Sequence, residues 1–369
     1  MAVNSKLQTI RKNAGLTQSE LAAAVGISRQ AYTAIETGKS VPSTEIALRL
    51  AYALKTTVED LFWLDDIPDR IVRAELRGED ESVPEGTRMQ IIDFGSRRLA
   101  WPLRKEAAVS HVINPADAVA VAGHAGRQVD LRLLNQSIDT VPAVLLAGCD
   151  PAASILAAML RDIGVRLVWI EAESMPSLHA LARGEIHIAG CDFKDPVTGR
   201  YNVPLVKEIV SFPCTIVRFA VWRQGMIVSH GNPKSIRYID DLTRPDISFI
   251  NRKPGAGSRG LLNRLLWESG ITSGAIHGYD KAVNGHLAAA ETVAAGLADC
   301  GIGIEAAAHA SELDFLLLNE EPYDLVIPDH FLDLPGVQSL LELLRVKNLR
   351  RQVEALGGYD TSQMGTPCT

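Results

Sequence analysis

The sequence predicts a multidomain protein with three parts: an all-α domain of five helices, a short β-containing linker module and a two-lobed α/β domain. Three observations predict this fold class. Residues 4–62 carry apolar side chains at helical spacing. From residue 141 onward, short apolar strands alternate with helical segments. A chain of 369 residues is also too long for one small domain. We therefore place the parts at 1–64, 65–140 and 141–369.

In the first part, residues 16–38 predict two helices joined by a tight turn. Gly26 permits the left-handed backbone that such a turn needs. Ser28 follows where an N-cap belongs, so a second helix is expected from Arg29 onward. The outward face of that helix, near its N-terminus, carries side chains that can reach base edges in a major groove. These side chains are Arg29, Gln30 and Thr33.

As a whole, residues 4–62 resemble the five-helix DNA-binding domain of the phage-repressor (Xre-like) family of helix-turn-helix regulators. Four runs carry the resemblance: T-Q-x-E-L-A at Thr17–Ala22, G-I-S-R-Q at Gly26–Gln30, I-E-x-G at Ile35–Gly38 and P-S-x-x-x-A-L-R-L-A at Pro42–Ala51. The resemblance implies double-stranded operator DNA as partner, with a phosphate contact from Gln18. The DNA-binding set is then Gln18, Ser28, Arg29, Gln30, Thr33 and Lys39. The alternative for these polar residues is an ordinary solvated helix face.

The charge distribution is compatible with that partner. The net charge of −7 argues at first against nucleic-acid binding. Residues 1–62, however, hold seven Lys and Arg against five Asp and Glu, a net of +2 that leaves −9 for the remainder. A repressor domain needs basic side chains only on its phosphate-facing surface, so this local excess suffices.

Features missing from the sequence indicate the compartment. The N-terminal segment lacks the apolar core of a signal peptide, and no run approaches the ~20 apolar residues of a membrane span. The five cysteines form no C-x-x-C pair and have no histidine at zinc spacing. We expect a soluble cytoplasmic protein with reduced thiols, no metal, no cofactor and no membrane contact.

The middle part is less regular. Thr87–Ile92 and Arg97–Leu103 predict a β-hairpin, and residues 116–123 and 129–134 predict two further strands. The hairpin carries four basic side chains: Arg97, Arg98, Arg104 and Lys105. A second DNA contact is one interpretation of them, and a solvated hairpin face is the one that we favour.

From residue 141 the pattern predicts two sets of strands and helices. In the first set, strands at Val144–Ala147, Val165–Glu171 and Ile186–Ala189 indicate a mostly parallel sheet, whose ligands bind at the carboxyl ends of the strands. The second set includes two expected strands, Thr215–Trp222 and Met226–Ser229, and then the strand Ile247–Asn251. That last strand leads through a glycine-rich turn into a helix. The turn presents backbone N–H groups and the positive end of a helix dipole, as an anion site does.

Two α/β lobes joined by crossing strands are the architecture of type 2 periplasmic substrate-binding proteins, and residues 141–360 resemble that superfamily. More narrowly, they resemble its cytoplasmic, molybdate-binding-like branch, which is attached to repressor-type DNA-binding domains. The motifs are G-C-D-P-A at 148–152, G-N-P at 231–233, N-R-x-x-G-x-G-x-R at 251–259, A-A-G-x-A-D-x-G-I-G at 294–303, Y-D-L at 323–325 and G-G-Y-D-T at 357–361. Lobe 1 is then about 141–212 with 313–369, and lobe 2 about 213–312.

The resemblance implies a small anion in the cleft between the lobes, either a molybdate- or tungstate-like oxyanion or another small anionic metabolite. Mapped onto this sequence, the ligand-binding set is Cys149, Asp150, Ser174, Asp192, Arg252, Gly257, Ser258, Arg259 and Asp280. Asp150 departs from the family pattern, because oxyanion binders of this fold offer a hydroxyl at that strand end. Either Asp150 caps the following helix, or the ligand carries a donor or positive group beside its anionic part.

The combined expectation is a ligand-responsive one-component transcriptional regulator, active as a homodimer that places two recognition helices ~34 Å apart on an operator. Two alternatives stay open. An enzyme on this fold would use Asp150, Asp192 and His286 as acid and base. The sequence has no G-x-S-x-G elbow and no phosphate loop, so we predict that it is not an enzyme. An antitoxin-like repressor would instead grip a protein partner with its large domain.

Overall fold

The computed structural model describes residues 3–64, 70–78, 81–103, 109–110, 112–113, 116–124, 126–134, 138, 140–195 and 197–368. They divide into two units, Met1–Arg70 and Ile71–Thr369. The first unit is helical, and the second holds the large sheet and its flanking helices.

Among its described residues, the first unit has the five helices that the spacing predicts. Its elements are β1 (Val3–Ser5), α1 (Leu7–Asn13), α2 (Gln18–Val25), α3 (Arg29–Glu36), α4 (Thr44–Leu54), α5 (Val58–Leu61) and β2 (Phe62–Leu64). β1 and β2 pair in antiparallel. The predicted left-handed turn lies at Gly26, with a φ of 78°. Ser28 is the predicted N-cap of α3, and its hydroxyl accepts from the N–H of Ala31 at 3.1 Å.

A small apolar core holds these helices together. Each helix contributes a fully buried side chain to it: Leu7, Leu21, Tyr32, Leu50 and Leu61. Burying one such leucine stabilises the fold by ~1.5–3 kcal/mol. Because all five helices share this core, the orientation of α3 is fixed by the whole unit.

The second unit begins with a small barrel. Its strands are β3 (Ile71–Leu76), β4 (Arg88–Phe94), β5 (Arg97–Pro102), β8 (Ala118–His124) and β9 (Gln128–Leu133), closed in the order β3-β5-β4-β8-β9. Between β5 and β8, β6 (Val109–Ser110) and β7 (Val112–Ile113) pair with each other. The predicted hairpin, now β4 and β5, and the two further predicted strands are confirmed.

The barrel packs against the first α/β lobe. Arg166 donates to the Asp117 carboxylate at 2.8 Å and to the Ile91 carbonyl at 2.7 Å. The ring of Phe94 stacks on His187, with 4.6 Å between centroids. Arg97 of the predicted hairpin donates to the carbonyl oxygen of Gly184 in this lobe.

The neighbouring Arg98 forms an ion pair with Asp93 at 2.6 Å. Arg104 and Lys105 lie outside the described residues. Arg97 and Arg98 therefore have partners within the chain, which favours the solvated hairpin face over a second DNA contact.

The two lobes share one mixed sheet. Its strands are β10 (Ala143–Gly148), β11 (Arg166–Glu171), β12 (Ile188–Cys191), β13 (Cys214–Val228), β14 (Phe249–Arg252), β15 (Ala282–Val283), β16 (Cys300–Ile304), β17 (Asp314–Pro328) and β18 (Tyr359–Asp360). The order is β11-β10-β12-β17-β13-β16-β14-β15, and β18 pairs with β13. β10, β11 and β12 are parallel in lobe 1, as are β14, β15 and β16 in lobe 2.

Two long strands cross from lobe to lobe. β13 and β17 pair in antiparallel, from Cys214 opposite Pro328 to Val228 opposite Asp314. The sequence predicted two separate strands where β13 is continuous, and this prediction is wrong. The interruption is a shift of register between Gln224 and Gly225, which bends the strand without ending it.

Helices cover both faces of the sheet. They are α6 (Ala153–Asp162), α7 (Ser174–Ala182), α8 (Val203–Ile209), α9 (Gly257–Glu268), α10 (His286–Ala294), α11 (Glu305–Ala310), α12 (Pro335–Leu343) and α13 (Lys347–Glu354). α6 and α7 follow β10 and β11 of lobe 1, and α9 and α10 follow β14 and β15 of lobe 2. The N-termini of these four helices lie where strands end, which is where ligands bind in such sheets. Among the described helices, none is long and apolar enough to cross a bilayer.

Candidate functional site

The first candidate surface is the exposed side of α3. Arg29 and Gln30 are exposed at its start, and Lys39 is exposed just beyond its end. Thr33 is half-buried, and its hydroxyl donates to the Arg29 carbonyl at 2.8 Å. The hydroxyl of Ser28 acts as the cap, so its oxygen accepts within the chain while its proton remains available to a phosphate.

Gln18 has a structural partner in this unit. Its amide Nε2 donates to Glu36 at 2.6 Å, and Glu36 also accepts from Arg11 at 2.8 Å and from Tyr32 at 2.9 Å. Burial raises the pKa of Glu36, but these hydrogen bonds outweigh it and lower that pKa overall. Gln18 thus links α2 to α3, and its second amide proton is the one that a phosphate contact would use.

The second candidate site is the cleft between the lobes, and Asp150 lies at its lobe 1 side. One carboxylate oxygen, Oδ1, accepts from the Ala152 N–H at 2.8 Å and from the Tyr359 hydroxyl at 2.6 Å. The other oxygen, Oδ2, is buried and has no hydrogen-bond partner among the described residues. Burial raises the pKa of Asp150 to about 7. Asp150 therefore holds the start of α6, and its buried Oδ2 accepts a hydrogen bond when the carboxyl is ionised and donates one when it is protonated.

Cys149, beside it, is a poor nucleophile. Its thiol is buried, and burial together with the nearby carboxylates raises its pKa well above the ordinary value. The thiol therefore stays protonated at neutral pH.

Ser174 and Asp192, two members of the predicted ligand-binding set, are in contact. The Ser174 hydroxyl donates to the Asp192 carboxylate. Gln224 donates from Nε2 to Asp192 at 3.0 Å and to Glu321 at 2.7 Å. Burial raises the pKa of Asp192, and it raises that of Glu321 to about 7. Gln224 lies at the shift of register in the crossing strand β13.

Arg252 is the centre of the lobe 2 side and is fully buried. Its Nη2 donates to both carboxylate oxygens of Glu173, at 3.0 and 2.7 Å. Its Nη1 lies 2.6 Å from Nδ1 of His286. A guanidinium only donates, so Nδ1 accepts and the imidazole proton is assigned to Nε2. Burial and the charge of Arg252 hold the pKa of His286 well below its ordinary value, so the ring is neutral.

Six buried polar atoms in these residues and their neighbours have no hydrogen-bond partner among the described residues. They are Asp150 Oδ2, Trp222 Nε1, Gln224 Oε1, Arg252 Nε, Ser258 Oγ and His286 Nε2. More than nine in ten buried polar groups in folded proteins are paired. A cluster of unpaired ones, gathered from both lobes and a crossing strand, therefore makes the cleft a candidate binding site for a polar molecule.

Aromatic side chains form one wall of the site. The Trp222 ring lies 4.5 Å from Tyr323, 5.2 Å from His286 and 6.4 Å from Tyr359 between centroids. The Tyr323 hydroxyl occupies the space where a Cβ on Gly190 would stand, 1.7 Å away. A glycine is needed at that position for the hydroxyl to fit.

A cavity of about 670 Å³ adjoins the cleft. Both lobes line it, among others through Asp192, Gly257, Arg264, Trp267 and Glu321. A second cavity, of about 920 Å³, lies around Ser229, His309 and Leu313 and includes none of the six unpaired groups. The lining of the first cavity does not include them either, but it does include Asp192 and Glu321, the two carboxylates that accept from Gln224.

Two members of the predicted ligand-binding set stand apart from the cluster. Asp280 is exposed. Arg259 donates to the Arg252 carbonyl at 3.0 Å and lies over the Tyr279 ring at 4.8 Å, so its charge has partners outside the cluster. A guanidinium beside an aromatic ring and a carbonyl gains both contacts at once, which explains why Arg259 turns toward them.

Sequence reasoning missed several residues that form the cluster or contact it. Tyr323 and Tyr359 lie in motifs that carried the family resemblance, so a signal for them existed. His286 was considered as an acid or base of the enzyme alternative, and not as a ligand-binding residue. Glu173 and Gln224 have no local pattern that marks them, since their roles depend on partners far along the chain.

Comparison with known families agrees with this architecture. A helix-turn-helix family model matches residues 7–61, and a model described as the PBP superfamily domain matches residues 157–345. The chain is thus a helix-turn-helix regulator fused to a substrate-binding-like domain. It belongs to the PBP superfamily.

Individual relatives cover each part. The uncharacterized protein YvgK of Bacillus subtilis is 34% identical over 229 residues, which are 62% of this chain and 74% of the relative. An uncharacterized HTH-type transcriptional regulator of Methanothermobacter thermautotrophicus is 49% identical over 57 residues, 15% of this chain and 83% of the relative. Among solved structures, the sulfate-binding protein SubI from Mycobacterium tuberculosis aligns with a TM-score of 0.46 and 15% identity, covering 59% of this chain and 86% of that one.

Proposed function

We propose that this chain is a ligand-responsive one-component transcriptional regulator, which binds operator DNA through α3 and a small ligand in the cleft. The observation that carries the proposal is the cluster of six unpaired buried polar atoms. Its members come from lobe 1, from the crossing strand β13 and from lobe 2. A ligand that pairs with all of them bridges the lobes and favours the closed cleft.

The cluster also indicates what the ligand offers. Four of its groups have protons to donate: Trp222, Arg252, Ser258 and His286. These groups suit an anionic or otherwise accepting part. Gln224 presents an acceptor, and Asp150 presents one when its carboxyl is ionised. These groups suit a hydrogen-bond donor or positive charge. We therefore propose a small ligand that carries an anionic part and a donor part.

Regulation requires that ligand binding change the affinity for DNA. We propose a homodimer, in which two copies of α3 read the two halves of a symmetric operator. Closing the lobes then alters how the recognition helices are presented. A coupling free energy of ~1–3 kcal/mol between the two sites is enough to switch operator occupancy.

Two substitutions test the proposal, because each removes one function. Arg29→Ala is expected to weaken operator binding by about 10- to 100-fold, as loss of a base-reading arginine does, and to leave ligand binding intact. Ser258→Ala is expected to weaken ligand binding and to leave DNA binding intact. DNA affinity is measured by fluorescence anisotropy on fragments selected from genomic DNA by the unmodified chain. Ligand binding is measured by thermal shift across oxyanions, amino acids and hydroxy acids.

Ser273→Ala, an exposed serine in lobe 2, is the matched control and should change neither measurement. If Ser258→Ala keeps full ligand affinity, the site is wrongly placed. If no small molecule shifts the unfolding temperature and a protein co-purifies with the chain, the antitoxin-like alternative replaces this proposal.

A further inference from the structure

Two acidic side chains of lobe 1 reach across the cleft to the most positive positions of lobe 2. Glu173 pairs with Arg252, and both side chains are buried. Asp192 lies against Gly257, the first residue of α9. These two positions lie on either side of the glycine-rich turn between β14 and α9. Arg252 supplies the positive charge, and the start of α9 supplies backbone N–H groups.

The Glu173 carboxylate occupies one side of the Arg252 guanidinium. Both carboxylate oxygens lie within 3.0 Å of Nη2 of Arg252, while Nη1 is used by His286. Of the three guanidinium nitrogens, Nε alone has no partner among the described residues. The face of Arg252 that a tetrahedral oxyanion would need is therefore filled by the chain itself.

The position at α9 is covered by Asp192, whose carboxylate accepts from Ser174 and Gln224. A Cβ on Gly257 would lie 2.4 Å from both carboxylate oxygens of Asp192, so the carboxylate stands directly against the first turn. The methyl side chain of the N-cap residue Ala256 cannot accept a hydrogen bond from the first N–H groups of this 12-residue helix. Such a helix start attracts negative charge. The unpaired hydroxyl of Ser258 lies in the same turn, which marks it as a place where a ligand binds.

We propose that Glu173 and Asp192 are specificity-determining residues, which occupy the two anion-binding positions of lobe 2 and so exclude bare oxyanions such as molybdate and sulfate. This inference rests on the proposed function, in that the cleft binds a ligand. The ligand that it admits must bring a hydrogen-bond donor or a positive charge to the two carboxylates. An oxyanion with acceptors only would meet two carboxylates at short range, and it would have to displace Glu173 from Arg252 to reach the guanidinium.

The test is a gain of binding. Isothermal titration of the full chain with sodium molybdate and with sodium sulfate is compared among wild type, Glu173→Gln, Asp192→Asn and the double variant. We expect the double variant to bind at least about 10-fold more tightly than wild type, which corresponds to ~1.4 kcal/mol, and the single variants to lie between. Glu208→Gln removes the same charge from an exposed site in lobe 1 and should bind as wild type does.

Stability provides a second readout, because Glu173→Gln leaves Arg252 buried without its counter-charge. Added sulfate should then raise the unfolding temperature of Glu173→Gln more than that of wild type, even if the double variant does not fold. Molybdate affinity in wild type equal to that of the double variant would overturn the inference. So would folded variants that bind neither anion and gain no stability from sulfate.

Failure of the specificity role and failure of the proposed function give different results. A wild-type chain whose DNA affinity responds to an amino or hydroxy acid, with no gain of oxyanion binding in the variants, overturns the specificity role alone. A gain of oxyanion binding in a chain whose DNA affinity responds to no small molecule overturns the regulator alone.

Discussion

Helices of the two units differ in whether a side chain of the N-cap residue caps their N-terminus. In the helix-turn-helix unit, α2, α3, α4 and α5 are each capped by a hydroxyl of their own N-cap residue: Thr17, Ser28, Ser43 and Thr57. At the cleft, α6, α7, α9 and α10 have no side-chain cap from their N-cap residues, as far as the described residues show. In the first unit, four of the five described helices are thus capped by their own N-cap residues, whereas α1 is not. At the cleft, the start of α6 is held by Asp150, two residues before its N-cap.

Two ion pairs, one from each unit, differ in their exposure to water. In the first unit, Arg49 and Glu45 form an ion pair at 2.6 Å whose side chains are 54% and 70% exposed. At the cleft, Arg252 and Glu173 pair at 2.7 Å and are 0% and 3% exposed. The distances are alike, but water screens the first pair and not the second. A buried pair such as Arg252–Glu173, or Arg11–Glu36 in the first unit, therefore depends on its internal partner, while an exposed pair such as Arg49–Glu45 does not.

The largest expected effect tests that dependence. Arg252→Ala should destabilise the second unit by ~3–5 kcal/mol, because it leaves the Glu173 carboxylate buried without a counter-charge. The measurement is urea unfolding followed by tryptophan fluorescence. Arg49→Ala is the matched control in the first unit and should cost ~0–1 kcal/mol, as exposed ion pairs do. Equal losses in the two variants would contradict the contrast between the units.

A second prediction concerns pH and Asp150. Burial raises the pKa of its carboxyl from 3.8 to about 7, so between these values the folded chain holds a proton that the unfolded chain has lost. The contribution of this group to stability is therefore fully present below about pH 4 and lost as the pH rises through 7. Asp150→Asn cannot ionise. Between about pH 5 and pH 8 it should lose ~2–3 kcal/mol less unfolding free energy than wild type, at 1.36 kcal/mol for each pKa unit.

Unfolding curves at intervals of about half a pH unit measure this difference. Glu321, whose pKa burial also raises to about 7, keeps part of the pH dependence in the variant. Asp162→Asn, at the exposed end of the same helix α6, should retain the wild-type profile. Parallel profiles for wild type and Asp150→Asn would show that Asp150 is not held protonated in the folded chain.

The same contrast explains how much the sequence predicted. The turn at Gly26 and the cap at Ser28 were predicted because each depends on residues within four positions. Local rules of helix spacing and capping describe such contacts. Several strands and helices of the lobes were likewise predicted from short patterns, whereas α8, α11 and α13 were not. β13 was predicted as two strands, because the bulge at Gln224 resembles a break between strands.

The cleft could be predicted only in part, because its contacts join distant segments. Asp150 meets Tyr359, 209 residues away, and Glu173 meets Arg252, 79 residues away. Such pairs leave no period in the sequence. Asp150 and Arg252 were found because they follow strand ends in recognisable motifs. Glu173 was missed, since an acidic residue before a helix is ordinary and its partner is visible only in the fold.

The smallest predicted effect concerns capping in the first unit. Thr17 and Glu20 cap α2 reciprocally: the Glu20 N–H donates to the threonine hydroxyl, and the Thr17 N–H donates to the glutamate. Thr17→Ala should therefore lower the unfolding free energy of this unit by ~1 kcal/mol. Thermal unfolding measures it, and Thr17→Ser, which keeps the hydroxyl, should be close to wild type. A loss in Thr17→Ser as large as in Thr17→Ala would mean that the methyl group stabilises α2, and local capping would no longer set the two units apart.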